Sequence, residues 1–263
     1  PKTGLKIVGA REHNLQDITV QIPLNCMVAV TGVSGAGKTS LIQSVLVGNL
    51  LSSGPRRESP GECDGIEGGE RLSGVVVVDQ TPAVRSSRSN PATVSKAFDG
   101  IRKRFAATRE ARALGVGPGW FSFNVAGGRC DACEGAGEVV IDMQFLDDVH
   151  APCEECGGRR YRKEVLRIKL EGRSVVDVLG MTMTEAVAFF SEDKKITSRL
   201  EPFVRVGLGY LTLGQPLSTL SGGEHQRVRL ALALTESASG RLFVFDEPLE
   251  IDTKIQRFLL GIN

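Results

Sequence analysis

The sequence predicts an α/β fold whose sheet core is interrupted by a mixed α+β insert, and three observations carry that prediction. An apolar run at residues 27–30 leads into a glycine turn, residues 32–40 (GVSGAGKTS), and then into a helix-spaced segment. A second apolar run, Leu242 to Phe245, ends in two acids, Asp246 and Glu247. Between them lie two tight cysteine pairs, Cys130-x2-Cys133 and Cys153-x2-Cys156, a pattern that a plain α/β sheet has no use for.

Each element can be justified in chain order. Residues 5–31 alternate apolar and polar positions (LKIVGA, ITVQIPL) and then turn almost wholly apolar, which predicts strands feeding the glycine turn. Residues 39–50 place Leu41, Val45 and Leu46 on one side of a helix, whereas residues 52–74 collect Gly, Pro, Ser and acids and read as a loop. Val75 to Val78 is a buried-strand run ending at Asp79-Gln80. Leu166, Ile168 and Leu170 alternate with Arg167 and Lys169, predicting a strand with one basic face. Thr182 and Glu185 have capping-box spacing ahead of an apolar run, so a helix starts there. The organisation expected is a first core segment at residues 1–84, an insert at 85–200 with its cysteine module at about 126–163, and a second core segment at 201–263.

Composition narrows the classes. At 263 residues, 41% hydrophobic and 24% charged, the chain suits one large domain or a core with an inserted unit. A net charge of +1 excludes a strongly basic footprint over the whole chain, so contact with nucleic acid has to come from local clusters. No run of 18 apolar residues and no leader-like N-terminus is present, which predicts a cytoplasmic protein without a membrane partner. Six cysteines, four of them in pairs, suit metal ligation in a reducing compartment; Cys26 and Cys63 read as plain thiols.

The glycine turn matches GxxxxGK(S/T) at Gly32, Gly37, Lys38 and Thr39, after an apolar run and before a helix. With Ser34, Gly35 and Ser40 it offers backbone N–H groups to the phosphates of ATP. Lys38 would neutralise β/γ-phosphate charge, and the Thr39 hydroxyl would ligate Mg2+. Asp246 would hold that ion through water, and Glu247 would polarise the attacking water. In residues 220–224 (LSGGE), Ser221 and Glu224 have the spacing of a helix cap, and Gly222 and Gly223 leave open amides for a second phosphate group. The two cysteine pairs, each followed by glycines, suit two knuckles clamping one tetrahedral Zn2+ through Cys130, Cys133, Cys153 and Cys156.

GVSGAGKTS, Gln80 after a strand, LSGGEHQR and LFVFDEP together resemble the ATP-binding-cassette (ABC) ATPases. That resemblance implies a catalytic and magnesium-ligating role for Gln80, with Lys38 and Glu247 in the same site, and a second ABC lobe to complete it. DQTPAVRSSRSNPAT, the cysteine-bearing stretch from residue 119 to 161, and VGLGYLTLGQPLSTLSGGEHQR resemble, more narrowly, the C-terminal half of the UvrA family of DNA-damage-sensing ATPases. The family implies a dimer on double-stranded DNA, ATP-controlled binding and handover to UvrB in nucleotide excision repair; relatives that protect against DNA-binding drugs share the motifs.

Charge agrees with a DNA partner. The insert is rich in cations, among them Arg88, Arg102, Lys103, Arg104, Arg159, Arg160 and Lys163, with few acids between them. Trp120, Phe121 and Phe123 read as core rather than as base-stacking residues. One departure limits the resemblance: Leu249 to Thr253 replaces the family's continuation after Pro248, and all three histidines precede Glu247, so no switch histidine is present. The second core segment is therefore expected to be incomplete, and a nucleotide-responsive DNA-binding module with little hydrolysis stands as the alternative function.

Overall fold

In the computed structural model the described residues are 4–52, 60–79, 88–141, 143, 149–235 and 240–245. The chain divides into two compact units, Pro1–Asp79 with Ser237–Asn263, and Gln80–Glu236. Both helices and strands are present, a mixed α/β content.

In the first unit, strands Gly4–Ala10 and Ile18–Pro23 pair antiparallel, and Gly65–Glu67 adds to the free edge of the first. The alternation seen in the sequence buries Leu5 and Ile7 completely. The register slips between Ile7 and Ala10, where Gly9 has φ +61° and an added Cβ would fall on the Asp64 carboxylate. Arg11, next in the chain, pairs with both Asp17 and Asp64 and so fastens the bulge. A second sheet pairs Gly74–Val78 in parallel with Arg241–Phe245, and the chain between these strands forms the long crossover that parallel pairing needs.

The helix expected after the glycine turn is there, as a π-helical segment Ser40–Val47 running into an α-helical turn Gly48–Leu51. Leu41, Val45 and Leu46 pack into one cluster with Leu5, Ile7, Ala10 and Ile22. Residues 27–30 differ from expectation: they lie outside any strand, and Met27, Val28 and Val30 are 49%, 44% and 43% exposed. A continuous apolar run is buried on both faces only when strands flank it, and among the described residues none does.

The second unit is mainly helical. Helix Ala97–Ala106 packs against Lys194–Phe203, which in turn packs against Met183–Phe189 and Gly222–Thr235. Its centre is aromatic: Phe98 stacks near Phe123, Phe105 near Phe121, and Phe123 meets Tyr161 edge-on. Phe121 and Phe123 are fully buried, as core residues should be. The helix that the Thr182 cap predicts begins at Met183, with Thr182 and Glu185 bonded reciprocally. The strand expected around residues 166–170 is instead a short helix, Lys163–Arg167, followed by an isolated bridge from Leu170 to Arg173. Val165 and Ile168, three apart, are buried together, and this helical spacing overrides the local alternation.

Candidate functional site

The glycine turn of the first unit is stabilised from within. Gly35 and Gly37 have φ +79° and +83°, values that L side chains rarely adopt. Ala36 N–H closes a turn on the Val33 carbonyl at 3.2 Å, and Leu41 N–H bonds the Gly37 carbonyl at 2.8 Å to open the helix. The Lys38 ammonium folds back over the loop and donates to the carbonyls of Gly32 and Val33, each at 2.9 Å. Gly32, Ser34, Gly35 and Thr39 are exposed, while Gly37, Lys38 and Ser40 are half-buried. The loop therefore presents a glycine-lined rim, one cation and two hydroxyls, Thr39 and Ser40, at a helix start, which is the chemistry that a phosphate group requires. Gln80, Asp246 and Glu247 lie outside the described residues.

In the second unit, Ser221 caps the helix Gly222–Thr235. Ser221 N–H donates to Glu224 Oε2 at 2.7 Å, and Glu224 N–H donates to Ser221 Oγ at 3.3 Å. The Ser221 hydroxyl also donates to the Glu224 carboxylate, so the cap is closed through both the backbone and the side chain of Ser221. Gly222 and Gly223 are half-buried, and a Cβ added at Gly223 would meet nothing within 4 Å. Tyr210 lies within the family-like stretch at residues 206–227 but has no role assigned from the sequence; its hydroxyl donates to Glu224 Oε1 at 2.5 Å. That bond, with the two from Ser221, holds the Glu224 carboxyl below the usual carboxylate range.

The four paired cysteines converge, their sulfurs all within 4.8 Å of one another. Two cross-pair separations are 3.8 Å, Cys133 to Cys156, and 4.0 Å, Cys130 to Cys153. Four bonds of about 2.3 Å to a tetrahedral zinc would set sulfur edges of about 3.8 Å, so the donor set is the right size and type for such an ion. Gly137 N–H donates to Cys133 Sγ at 3.2 Å, the kind of bond that steadies a thiolate ligand. Gly135 is required for the turn: its φ is +81°, and an added Cβ would lie 1.9 Å from the Phe123 carbonyl oxygen. Burial pushes the Cys156 thiol up to about 12, whereas the Cys156 N–H pulls the Cys153 thiol down. Cys26 and Cys63 are free thiols outside the cluster.

The cations of the insert sort into two groups. Arg102 pairs with Asp99 and lies 5.6 Å over the Phe98 ring, and Arg104 pairs with Glu171 at 3.6 Å. Arg160 lies 5.2 Å over the Phe123 ring, and Arg159 Nε donates to the Cys156 carbonyl at 2.9 Å. Arg88 is half-buried. Lys103 and Lys163 are exposed, without an ion pair among the described residues. No helix among the described residues is long and apolar enough to cross a membrane.

A glycine loop of phosphate-loop sequence in one unit, and a capped glycine helix with a four-cysteine cluster able to hold a metal in the other, define a mixed α/β protein with a metal-type module. No family model matches the chain, but individual proteins do. It is 52% identical to UvrABC system protein A of Thermus thermophilus over 246 residues, 93% of this chain and 26% of that protein. The same-named proteins of Micrococcus luteus and Staphylococcus aureus are 49% and 47% identical, over 94% and 98% of this chain and 25% and 28% of theirs. The crystal structure of UvrA2 from Deinococcus radiodurans superposes with a TM-score of 0.88 at 41% identity, covering 100% of this chain and 32% of that one. Over nearly its whole length the chain is similar to UvrA proteins, and it spans about a quarter of the length of the curated relatives it matches.

Proposed function

We propose that this chain is an ATP-binding lobe of a UvrA-like ATPase that recognises DNA damage in nucleotide excision repair and binds double-stranded DNA under ATP control. The observation that carries the reading is the phosphate loop, with Gly35 and Gly37 left-handed and Lys38 already folded over it. In this reading residues 1–84 and 201–263 supply the two segments of an ABC-type core, and residues 85–200 are the DNA-binding insert.

Within one lobe, the loop amides and Lys38 hold the β- and γ-phosphates, and Thr39 and Gln80 ligate Mg2+. Asp246 steadies that ion through water while Glu247 orients the attacking water. Ser221, Gly222 and Gly223 serve a nucleotide held by a second ABC lobe, from the parent chain or from another copy. Cys130, Cys133, Cys153 and Cys156 would hold a structural Zn2+, and four thiolate ligands would leave it no open position for hydrolytic chemistry. Lys103 and Lys163, being unpaired, are best placed for phosphate contacts; Arg88, Arg102, Arg104, Arg159 and Arg160 would shape the same surface. In the repair system the partners are a second UvrA and UvrB.

Steady-state ATP hydrolysis with and without damaged duplex, for the native chain and for Glu247→Gln, tests the reading. Turnover should respond to duplex and fall with the substitution. Hydrolysis indifferent to both changes would overturn it.

A further inference from the structure

Asn14 lies in the turn between the first two strands, 21 residues from the phosphate loop in sequence, and no motif includes it. Its side chain nevertheless reaches the middle of that loop. Asn14 Nδ2 donates to the Gly35 carbonyl at 2.8 Å. The same side chain, with Leu15, fills the space beside Gly37: a Cβ added there would lie 2.8 Å from Leu15 Cδ2 and 3.0 Å from Asn14 Oδ1. Both glycines that hold the loop's left-handed turns are therefore braced from one side by one short segment.

We propose that Asn14 is a positioning residue for phosphate binding: it pins the Gly35 carbonyl to the outside of the loop, so that the loop is already shaped for a nucleoside di- or triphosphate before the ligand arrives. This rests on the phosphate-loop reading above. A peptide whose carbonyl is held on one side cannot turn that oxygen toward the anion, where it would repel phosphate. Lys38 braces the other end of the loop through Gly32 and Val33, and it is free to exchange those carbonyls for phosphate oxygens. Asn14 carries no charge to offer an anion, so its bond to the Gly35 carbonyl stays in place when phosphate binds. Preorganisation of this kind raises affinity by removing an ordering cost rather than by adding a ligand contact.

The test uses the full chain and measures the affinity of Mg-ADP and of inorganic pyrophosphate for native protein, Asn14→Ala and Asn14→Asp. Aspartate keeps the packing beside Gly37 while losing the N–H donor, and its added charge should weaken both anionic probes further than alanine does. Asn14→Ala should bind both probes about threefold to tenfold more weakly, the factor that one net hydrogen bond carries, with the melting midpoint of the ligand-free chain unchanged. Loss with pyrophosphate as well as with ADP places the effect on the phosphate cradle. Full affinity in Asn14→Ala overturns the proposal and leaves the phosphate-loop reading standing. An affinity that falls only together with the melting midpoint also overturns it, because the role is then packing. Failure of the native chain to bind either probe, with Lys38→Ala indistinguishable from it, defeats the phosphate-loop reading itself.

Discussion

Replacing Tyr161 with Phe removes one hydroxyl from the joint between the cysteine module and the helical core. Tyr161 is 1% exposed, its hydroxyl donates to the Phe121 carbonyl at 2.9 Å, and its ring meets Phe123 at 6.3 Å. Backbone bonds meet at the same place, from Cys130 N–H to the Arg160 carbonyl and from Arg162 N–H to the Gly128 carbonyl. Phenylalanine keeps the ring contact, so the change isolates the bond. A net hydrogen bond contributes about 1 kcal/mol, and a buried carbonyl left without a donor costs about 1–3 kcal/mol, so a loss of about 1–3 kcal/mol is expected for the second unit. At a urea slope of about 2 kcal/mol per M the midpoint should fall by about 0.5–1.5 M. Trp120, the single tryptophan, lies beside Phe121 and reports this unit by fluorescence. Metal content should stay at one ion per four cysteines. A midpoint shift below about 0.3 M at unchanged slope would refute the reasoning, since it would mean that water satisfies the carbonyl.

Lys38→Ala should weaken Mg-ADP binding by about tenfold to a hundredfold, since a charge-assisted bond to phosphate is lost; equilibrium titration checks it. Replacing Cys153 with Ser should abolish stoichiometric zinc, read by metal analysis, while Mg-ADP binding by the first unit persists. Neutralising Lys103 or Lys163 should lower the salt dependence of duplex binding by about one counterion each, measured by titration in rising salt. Arg102→Ala should instead destabilise the fold, because its guanidinium is held against Asp99 and Phe98. The Asp177 carboxyl is held below its ordinary value by Ser174, first through the backbone N–H. The folded carboxyl thus has the lower pKa, so its stabilisation is complete above the unfolded pKa and is lost as pH falls through the folded one. Asp177→Asn should flatten the acid limb of a stability profile followed by circular dichroism.

What could be read from the chain follows from how local each feature is. The glycine loop, the Thr182 cap and the strands Gly4–Ala10 and Gly74–Val78 depend on neighbours within a few residues, so spacing alone reveals them. The cysteine pairs are visible for the same reason, and the two pairs converge to within 4.8 Å, as ligation of one tetrahedral ion would require. Residues 166–170 misled because alternation and helical spacing coexist there, and the joint burial of Val165 and Ile168 goes with the helix. The partners of Tyr210 and Asn14 were not legible, since each bonds a segment distant in sequence: Glu224 for Tyr210 and Gly35 for Asn14.

By itself the sequence determined the chemistry on offer: a phosphate loop, a capped glycine helix, four thiolate donors and a surplus of cations in the insert. Tertiary structure decided which of those groups remain available. It folded Arg102 and Arg160 onto aromatic rings, left Lys103 and Lys163 open, and brought Asn14 under the loop. The physical reason is that residue type and spacing set what a side chain can bond, whereas burial and long-range packing set what it has already bonded.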